Sequence, residues 1–175
     1  MIFDASSTQY VDVTDCAANI ASLATGTIMA WVKIPTGALS GSGIVPLYWA
    51  SSGTSAWGYL GVGNVTGSWG DESLSYWCKD SSWQMACACR LGHTYLADDT
   101  WHHIAFSPKG GGFYIDGVSY GADYILGTNA LGTFTSGTPT AVYLGNHSLS
   151  GSWFEGNIRD VRIYNRAMDF NDIYS

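Results

Sequence analysis

Two adjacent histidines, His102 and His103, are the residues whose type and spacing first suggest chemistry, because imidazole nitrogens bind metals and exchange protons near neutral pH. They lie in the stretch TWHHIAFSPKGGGFYIDGVSYG, whose first part alternates as a β-strand does. Neighbouring side chains of a strand point to opposite faces, so the two rings are poorly placed to hold one metal ion. We expect each histidine to be a hydrogen-bonded structural residue.

The glutamates are too few and too scattered for acid–base catalysis. Cleaving a glycosidic bond needs two carboxylates ~5–9 Å apart across a cleft. Glu72 and Glu155 are the only glutamates, and neither has a second carboxylate two residues away in an aromatic strand. Asp71 and Glu72 are adjacent, so an extended backbone turns them to opposite faces. The one Gly-x-Ser-x-Gly match, Gly117–Gly121, lies in a predicted hairpin and not at a strand-to-helix elbow, so we predict no catalytic residues and no enzyme.

Carboxylates also ligate calcium, which takes about six to eight oxygen ligands. The loop carboxylates form no recognisable ligand run, so no metal site and no other cofactor is predicted. Calcium stays a weak candidate cofactor, and its candidate ligands are Asp71, Glu72, Asp98 and Asp99.

The eight tryptophans are more than a core of this size requires. An exposed indole face stacks well on a sugar ring, so tryptophans in loops are candidate glycan-binding residues. Trp31 and Trp101 are expected to pack inside instead. The predicted ligand-binding residues are Trp49, Trp57, Trp69 and Trp153.

Composition limits the classes of partner. The formal net charge is -7 with only 7 lysines and arginines, which argues against nucleic acid or an anionic membrane as a partner. No segment approaches the ~20 apolar residues of a membrane span. The first fifteen residues show neither the basic region nor the apolar region of a secretion signal. The 175 residues fit one domain, which we place at 1–175.

The four cysteines are Cys16, Cys78, Cys87 and Cys89. A hairpin turning at Lys79–Ser82 would place Cys78 opposite Trp83, too far from Cys87 for a disulfide. Buried thiols are the preferred interpretation. A disulfide to Cys16 and a zinc site remain alternatives.

The remaining pattern is that of an all-β protein. Alternating or continuously apolar runs recur between Gly/Ser/Thr-rich loops, and Asp116-Gly117 is the pair favoured at the tip of a tight hairpin. Only the tail RAMDFNDIYS has helical character, and there Met168, Ile173 and Phe170 are expected to cap one end of the core. We predict an antiparallel two-sheet β-sandwich with a short C-terminal helical turn.

Five ordered segments carry a family resemblance: TIMAWVK, WHHIAF, FYIDGV, YLGN and FEGNIRDVRIYNRAM. Together they resemble the signature of laminin-G-like domains of the concanavalin A-like superfamily, over essentially the whole chain. One departure is Ala5, which stands where glycine usually follows the first aspartate. The resemblance implies a jelly roll, and it implies rim loops that recognise glycans, protein ligands or calcium.

The resemblance does not by itself choose a function. From the acidic, aromatic-rich composition and the lack of a secretion signal, we predict a non-catalytic surface interaction and assembly module. We place it on the virion surface, as a phage capsid decoration or cement protein or a tail-associated protein. It would be a homo-oligomer in contact with other subunits, and its loops would contact cell-surface glycans. The alternative is an independent carbohydrate-binding module, secreted or cut from a polysaccharide-degrading enzyme.

Overall fold

A computed structural model gives the fold. It describes the backbone of most of the chain, namely residues 1–4, 9–21, 23, 25–39, 43–52, 56–64, 73–79, 85–92, 94–108, 112–121, 124–126, 139–145 and 153–174.

Two antiparallel sheets form the molecule, as predicted. The six-stranded sheet has the order β1-β13-β3-β8-β9-β10, and the seven-stranded sheet has the order β11-β7-β6-β5-β4-β12-β2. The strands are β1 (Ile2–Phe3), β2 (Val11–Asp12), β3 (Thr27–Lys33), β4 (Gly43–Ser52), β5 (Ala56–Asn64), β6 (Ser73–Lys79), β7 (Met85–Leu91), β8 (Trp101–Ser107), β9 (Gly112–Ile115), β10 (Val118–Gly121), β11 (Tyr124–Leu126), β12 (Ala141–Leu144) and β13 (Gly156–Tyr164).

The core fills the space between the two sheets. Phe106 of the six-stranded sheet stacks on Tyr76 of the seven-stranded sheet, with ring centroids 4.4 Å apart, and it also contacts Phe113. All three rings are fully buried. Strand β3 is central because it pairs with β13 on one side and β8 on the other, which explains its nearly continuous apolar sequence.

The hairpin between β9 and β10 turns at Asp116-Gly117, as predicted. Both residues have positive φ, at 47° and 82°, which is the backbone that a two-residue type I′ turn requires. The Asp116 side chain also holds β8 in place, because its Oδ1 accepts a hydrogen bond from the His103 backbone N–H at 2.7 Å.

The C-terminal tail forms a short helix, α1 (Phe170–Tyr174), as predicted, but it does not cap the core. Met168 is buried on the outer face of the six-stranded sheet, in a small cluster with Met29, Ala105 and Tyr114. Ile173 also packs against this cluster, which is separate from the main core. The Phe170 side chain lies outside the described part of the structure.

The predicted cysteine geometry is wrong. Cys78 opposes Cys87 directly in the register of β6 and β7, because β6 continues to Lys79 and the chain turns later than predicted. A bulge follows Cys78, and Lys79 pairs with Met85. Cys78 is fully buried, as expected for a small apolar side chain, whereas Cys16 is exposed in the 3₁₀ helix Thr14–Ile20.

Candidate functional site

An aromatic row crosses four adjacent strands of the seven-stranded sheet. Tyr143 of β12 opposes Trp49 of β4, Trp49 opposes Tyr59 of β5, and Tyr59 opposes Trp77 of β6. The sequence neighbours of these rings belong to the core, apart from Gly58 beside Tyr59. Since side chains alternate along a strand, the aromatic row lies on the face turned away from the core.

The rings of the aromatic row stack in pairs. Trp49 and Tyr143 are parallel within 2°, with centroids 5.6 Å apart. Tyr59 and Trp77 lie 11° from parallel at 6.1 Å. Tyr10, before β2, meets Tyr143 edge-on at 5.0 Å and extends the line of aromatic rings by one member. Each ring is therefore held by a neighbour, so the row keeps its geometry without a ligand.

Exposure divides the aromatic row into a buried centre and accessible ends. Trp49 is 2% exposed and Tyr59 is 7% exposed. Tyr143 and Trp77 are half-buried, and Tyr10 is 50% exposed. A ligand that approaches from solvent would meet Tyr10 and Tyr143 at one end or Trp77 at the other, with the buried rings as support.

Small residues lie beside the aromatic row on the same face. Gly61 opposes Ser75, and Gly63 opposes Ser73. The Ser73 hydroxyl donates a hydrogen bond to the Gly63 carbonyl at 3.2 Å, and both serines are fully buried. Glycine inside a strand commonly marks a place where another group approaches the backbone closely. The two serines have no exposed surface, so this part of the face is closed to solvent.

The predicted tryptophans are distributed over several places. Trp49 is in the middle of β4 and not at the rim, so its indole contacts Tyr143 and offers no open face, contrary to expectation. Trp57 precedes Tyr59 by two residues on β5 and pairs with Ser51. Trp153 is half-buried beside Phe154. Trp69 lies outside the described residues.

Two of the four calcium candidates, Asp98 and Asp99, lie in the described residues, and each accepts hydrogen bonds from a threonine. Asp71 and Glu72 lie outside the part of the chain that the structure describes. Asp98 accepts hydrogen bonds from the backbone N–H and the hydroxyl of Thr100, each at 2.8 Å. Asp99 likewise accepts bonds from the backbone and hydroxyl of Thr36. Within the described ranges, no three His, Cys, Asp or Glu residues are grouped so as to hold a metal ion.

His102 has the structural role expected of it. Its Nδ1 lies 2.5 Å from Asp116 Oδ2, and its Nε2 lies 3.0 Å from Asp98 Oδ1. Burial of the ring disfavours the charged form, but the hydrogen bonds and charges of Asp116 and Asp98 outweigh burial and raise the pKa of His102 above 6.5. The imidazolium therefore ties the loop before β8 to the β9–β10 turn.

We expect this ion cluster to make stability depend on pH. A raised folded-state pKa means that the contribution of His102 is fully present below pH 6.5 and is lost as the pH rises through the raised pKa. At pH 6, the free energy of unfolding of the wild type should exceed that of a His102→Gln variant by up to about 1 kcal/mol, and at pH 8.5 the difference should be smaller. Urea unfolding at both pH values measures the difference. An advantage that grows with pH would contradict the assignment.

His103 points to the other face of β8 and contacts different groups. Its Nδ1 lies 3.1 Å from the hydroxyl of Tyr174, and its ring packs against Trp31 with centroids 5.2 Å apart. Burial lowers the pKa of His103, so this imidazole is uncharged at neutral pH. The two imidazoles therefore lie on opposite faces of β8 and contact different groups, as expected for neighbouring residues of a strand.

Comparisons with known proteins agree with this architecture. A laminin G family model, described as the concanavalin A-like lectin/glucanases superfamily, matches residues 5–174. Among solved structures, the carbohydrate-binding module CBM40 of a Ruminococcus gnavus sialidase superposes with a TM-score of 0.70 at 14% identity, over 99% of this chain and 92% of the module. The same module bound to α2,6-sialyllactose gives a TM-score of 0.63. No curated protein matches in sequence.

A second group of similar structures consists of toxin binding domains. The binding domain of botulinum neurotoxin serotype D superposes with a TM-score of 0.57 at 12% identity, over 88% of this chain and 35% of that one. Identities this low establish the two-sheet fold and nothing finer. The solved structures named here are binding modules, and none of them supports the predicted role in a virion, which stays a prediction. No helix in the described residues is long and apolar enough to cross a membrane.

Proposed function

We propose that this chain is a non-catalytic carbohydrate-binding module. The premise is that it belongs to the laminin-G-like family of the concanavalin A-like lectin/glucanase superfamily. The observation that carries the proposal is the aromatic row. The row lies outside the core between the sheets, and its end members Tyr143 and Trp77 are only half-buried, so they are the rings that a ligand can contact.

The aromatic row suits a neutral sugar chain. The faces of pyranose rings carry C–H groups that pack against aromatic rings, and rings already fixed by stacking lose little conformational freedom on binding. Tyr143 is held between Trp49 and Tyr10, and Trp77 is held by Tyr59. Each accessible ring is therefore preorganised by a neighbour.

Similar structures with bound partners support a binding function of this kind. One shows a carbohydrate-binding module with α2,6-sialyllactose, and another shows a neurotoxin binding domain in complex with rat synaptotagmin II. Binding modules of this fold thus meet glycans and protein receptors. We place the present chain outside the cell, where such ligands occur, and we assign catalysis to none of its residues.

The proposal predicts that alanine at the accessible ends of the aromatic row weakens glycan binding. Tyr143→Ala and Trp77→Ala should each lower affinity about tenfold, because each removes one stacking surface. A glycan microarray identifies the tightest neutral ligand, and calorimetry with that ligand measures the affinities. Tyr120→Ala is the matched control, because Tyr120 is 52% exposed but lies on β10 of the other sheet.

The control should bind as the wild type does. The proposal is wrong if no glycan on the array binds, or if Tyr143→Ala and Trp77→Ala retain full affinity while Tyr120→Ala loses it.

A further inference from the structure

A stacked arginine marks the outer face of the six-stranded sheet. The Arg159 guanidinium carbon lies 4.1 Å from the centroid of Trp101 and 5.3 Å from that of Trp31. Both tryptophans are half-buried on this outer face, which corrects the expectation that they pack inside, while Arg159 is exposed. We call Arg159, Trp31 and Trp101 the Arg159 site.

The other arginines on this side of the molecule have carboxylate partners. Arg162 makes two hydrogen bonds to Asp160, at 2.8 and 2.9 Å, and so uses both carboxylate oxygens. Arg166 pairs with Asp172 at 3.0 Å. Among the described residues, no carboxylate lies within 4 Å of the Arg159 guanidinium. Its charge is therefore balanced by the faces of two indoles and by solvent.

A bulge in β13 lies between Arg159 and the carboxylate-paired Arg162. Arg159 opposes Trp31 and Arg162 opposes Met29, so two residues on β13 stand against one on β3. The first of the two, Asp160, has a φ of +52°, which is uncommon for a residue with a side chain. Backbone strain of this kind persists where surrounding structure requires it, often at binding sites. Here it accompanies the pairing of Asp160 with Arg162, while Arg159 has no carboxylate partner in the part of the chain that the structure describes.

A cavity adjoins the Arg159 site and shares Trp31 with it. Its volume is about 220 Å³, below the ~300 Å³ lower end of drug-sized pockets, so it suits a group of about one ring. The uncharged His103 imidazole and the Asp160–Arg162 pair offer polar atoms at its wall. The lining residues are Met29, Trp31, His103, Asp160, Arg162, Ile173 and Tyr174.

We propose that this face binds a carboxylate-bearing sugar, with Arg159 taking the carboxylate and the adjoining cavity taking the ring. When a guanidinium packs on the face of an indole, its N–H groups still point outward in the guanidinium plane. There they can bind the two oxygens of a carboxylate. One arginine without a carboxylate partner among the described residues, in a chain of net charge -7, fits one carboxylate and disfavours a polyanion. The site lies on the sheet opposite the aromatic row, so it goes beyond the function proposed above.

Calorimetry with acidic and neutral monosaccharides tests the proposal on the full chain. N-acetylneuraminic acid and glucuronic acid distinguish a sialic acid from a uronic acid as the source of the carboxylate, and glucose is the neutral counterpart. At least one acid should bind tenfold or more tightly than glucose. Arg159→Gln should remove that preference, and Arg159→Lys should retain only part of it, since lysine cannot bind bidentately.

Controls separate this site from the aromatic row and from folding. Arg166→Gln removes a neighbouring arginine that is already paired, and it should leave the preference intact, as should Tyr143→Ala. Thermal unfolding of Arg159→Gln should match that of the wild type. The proposal is overturned if neither acid binds better than glucose, if acetate or an acidic peptide competes as well as the sugar acid, or if Arg159→Gln binds as tightly as the wild type. Loss of acid binding in Tyr143→Ala would move the site to the other sheet.

Discussion

Replacing Phe106 by alanine is expected to lower the free energy of unfolding by about 3–5 kcal/mol. The ring is fully buried between the sheets, where it stacks on Tyr76 and contacts Phe113. Alanine would leave a cavity at the point where the two sheets meet, and the two flanking rings cannot both collapse into it. Domains of this kind are stable by about 5–15 kcal/mol in total, so the loss is a large fraction.

Guanidinium chloride unfolding, followed by tryptophan fluorescence, measures the loss. The exposed Tyr120→Ala variant removes an aromatic ring of similar size from the surface and should change stability by less than about 0.5 kcal/mol. If Phe106→Ala costs no more than Tyr120→Ala, then Phe106 does not join the two sheets as the structure describes.

Alanine at Gly156 is expected to destabilise the protein by about 3 kcal/mol or more. Gly156 has a φ of +133°, and a Cβ there would overlap the carbonyl oxygen of Lys33, which is backbone and cannot rotate away. Gly156 also pairs with Phe3, so a shift would separate β1 from β13. The residue therefore holds three neighbouring strands, β1, β13 and β3, at their required spacing.

Gly117→Ala is the matched comparison. Gly117 also has positive φ, at 82°, but nothing lies within 4 Å of a Cβ built there. Its replacement should cost only the strain of the left-handed backbone, about 1–2 kcal/mol. Thermal and chemical unfolding of both variants separates strain from overlap. Equal losses would show that the close approach of Lys33 to Gly156 has no energetic consequence.

The sequence predicts the fold well because the fold depends on local patterns. The alternation of apolar and polar residues along a strand identifies its buried face. Asp116-Gly117 specifies a tight turn because both residues tolerate positive φ. The turn between β6 and β7 was placed too early because a four-residue loop is only one of the lengths that the pattern permits. That error moved Cys78 away from Cys87.

The candidate site is harder to predict because it depends on register between distant strands. Tyr143 and Trp49 are 94 residues apart in the sequence, and only the strand order β5-β4-β12 makes them neighbours. The prediction selected tryptophans by residue type, so it included Trp49 but missed Tyr143 and Tyr59. A usable signal is present for Tyr143 and Trp49, since each of these two rings lies between two core residues on its strand.

The Arg159 site was missed for a related reason. The apolar run of β3 predicts burial on both faces, which placed Trp31 inside. In the structure, the tail around Met168 covers only the part of this face near Met29, and Trp31 remains half-buried beside Arg159. Which part of a central strand is covered depends on where the chain ends pack, and strand periodicity carries no information about that.

The most direct test of glycan binding by the aromatic row is a two-dimensional amide NMR titration of the full chain with the neutral glycan that binds most tightly on the array. The proposal predicts that the indole N–H of Trp77 or the backbone amide of Tyr143 shifts in a saturable way, while the amide of Gly117 stays unchanged. Saturation of the protein with no shift at either end of the row, or shifts confined to the six-stranded sheet, would contradict it.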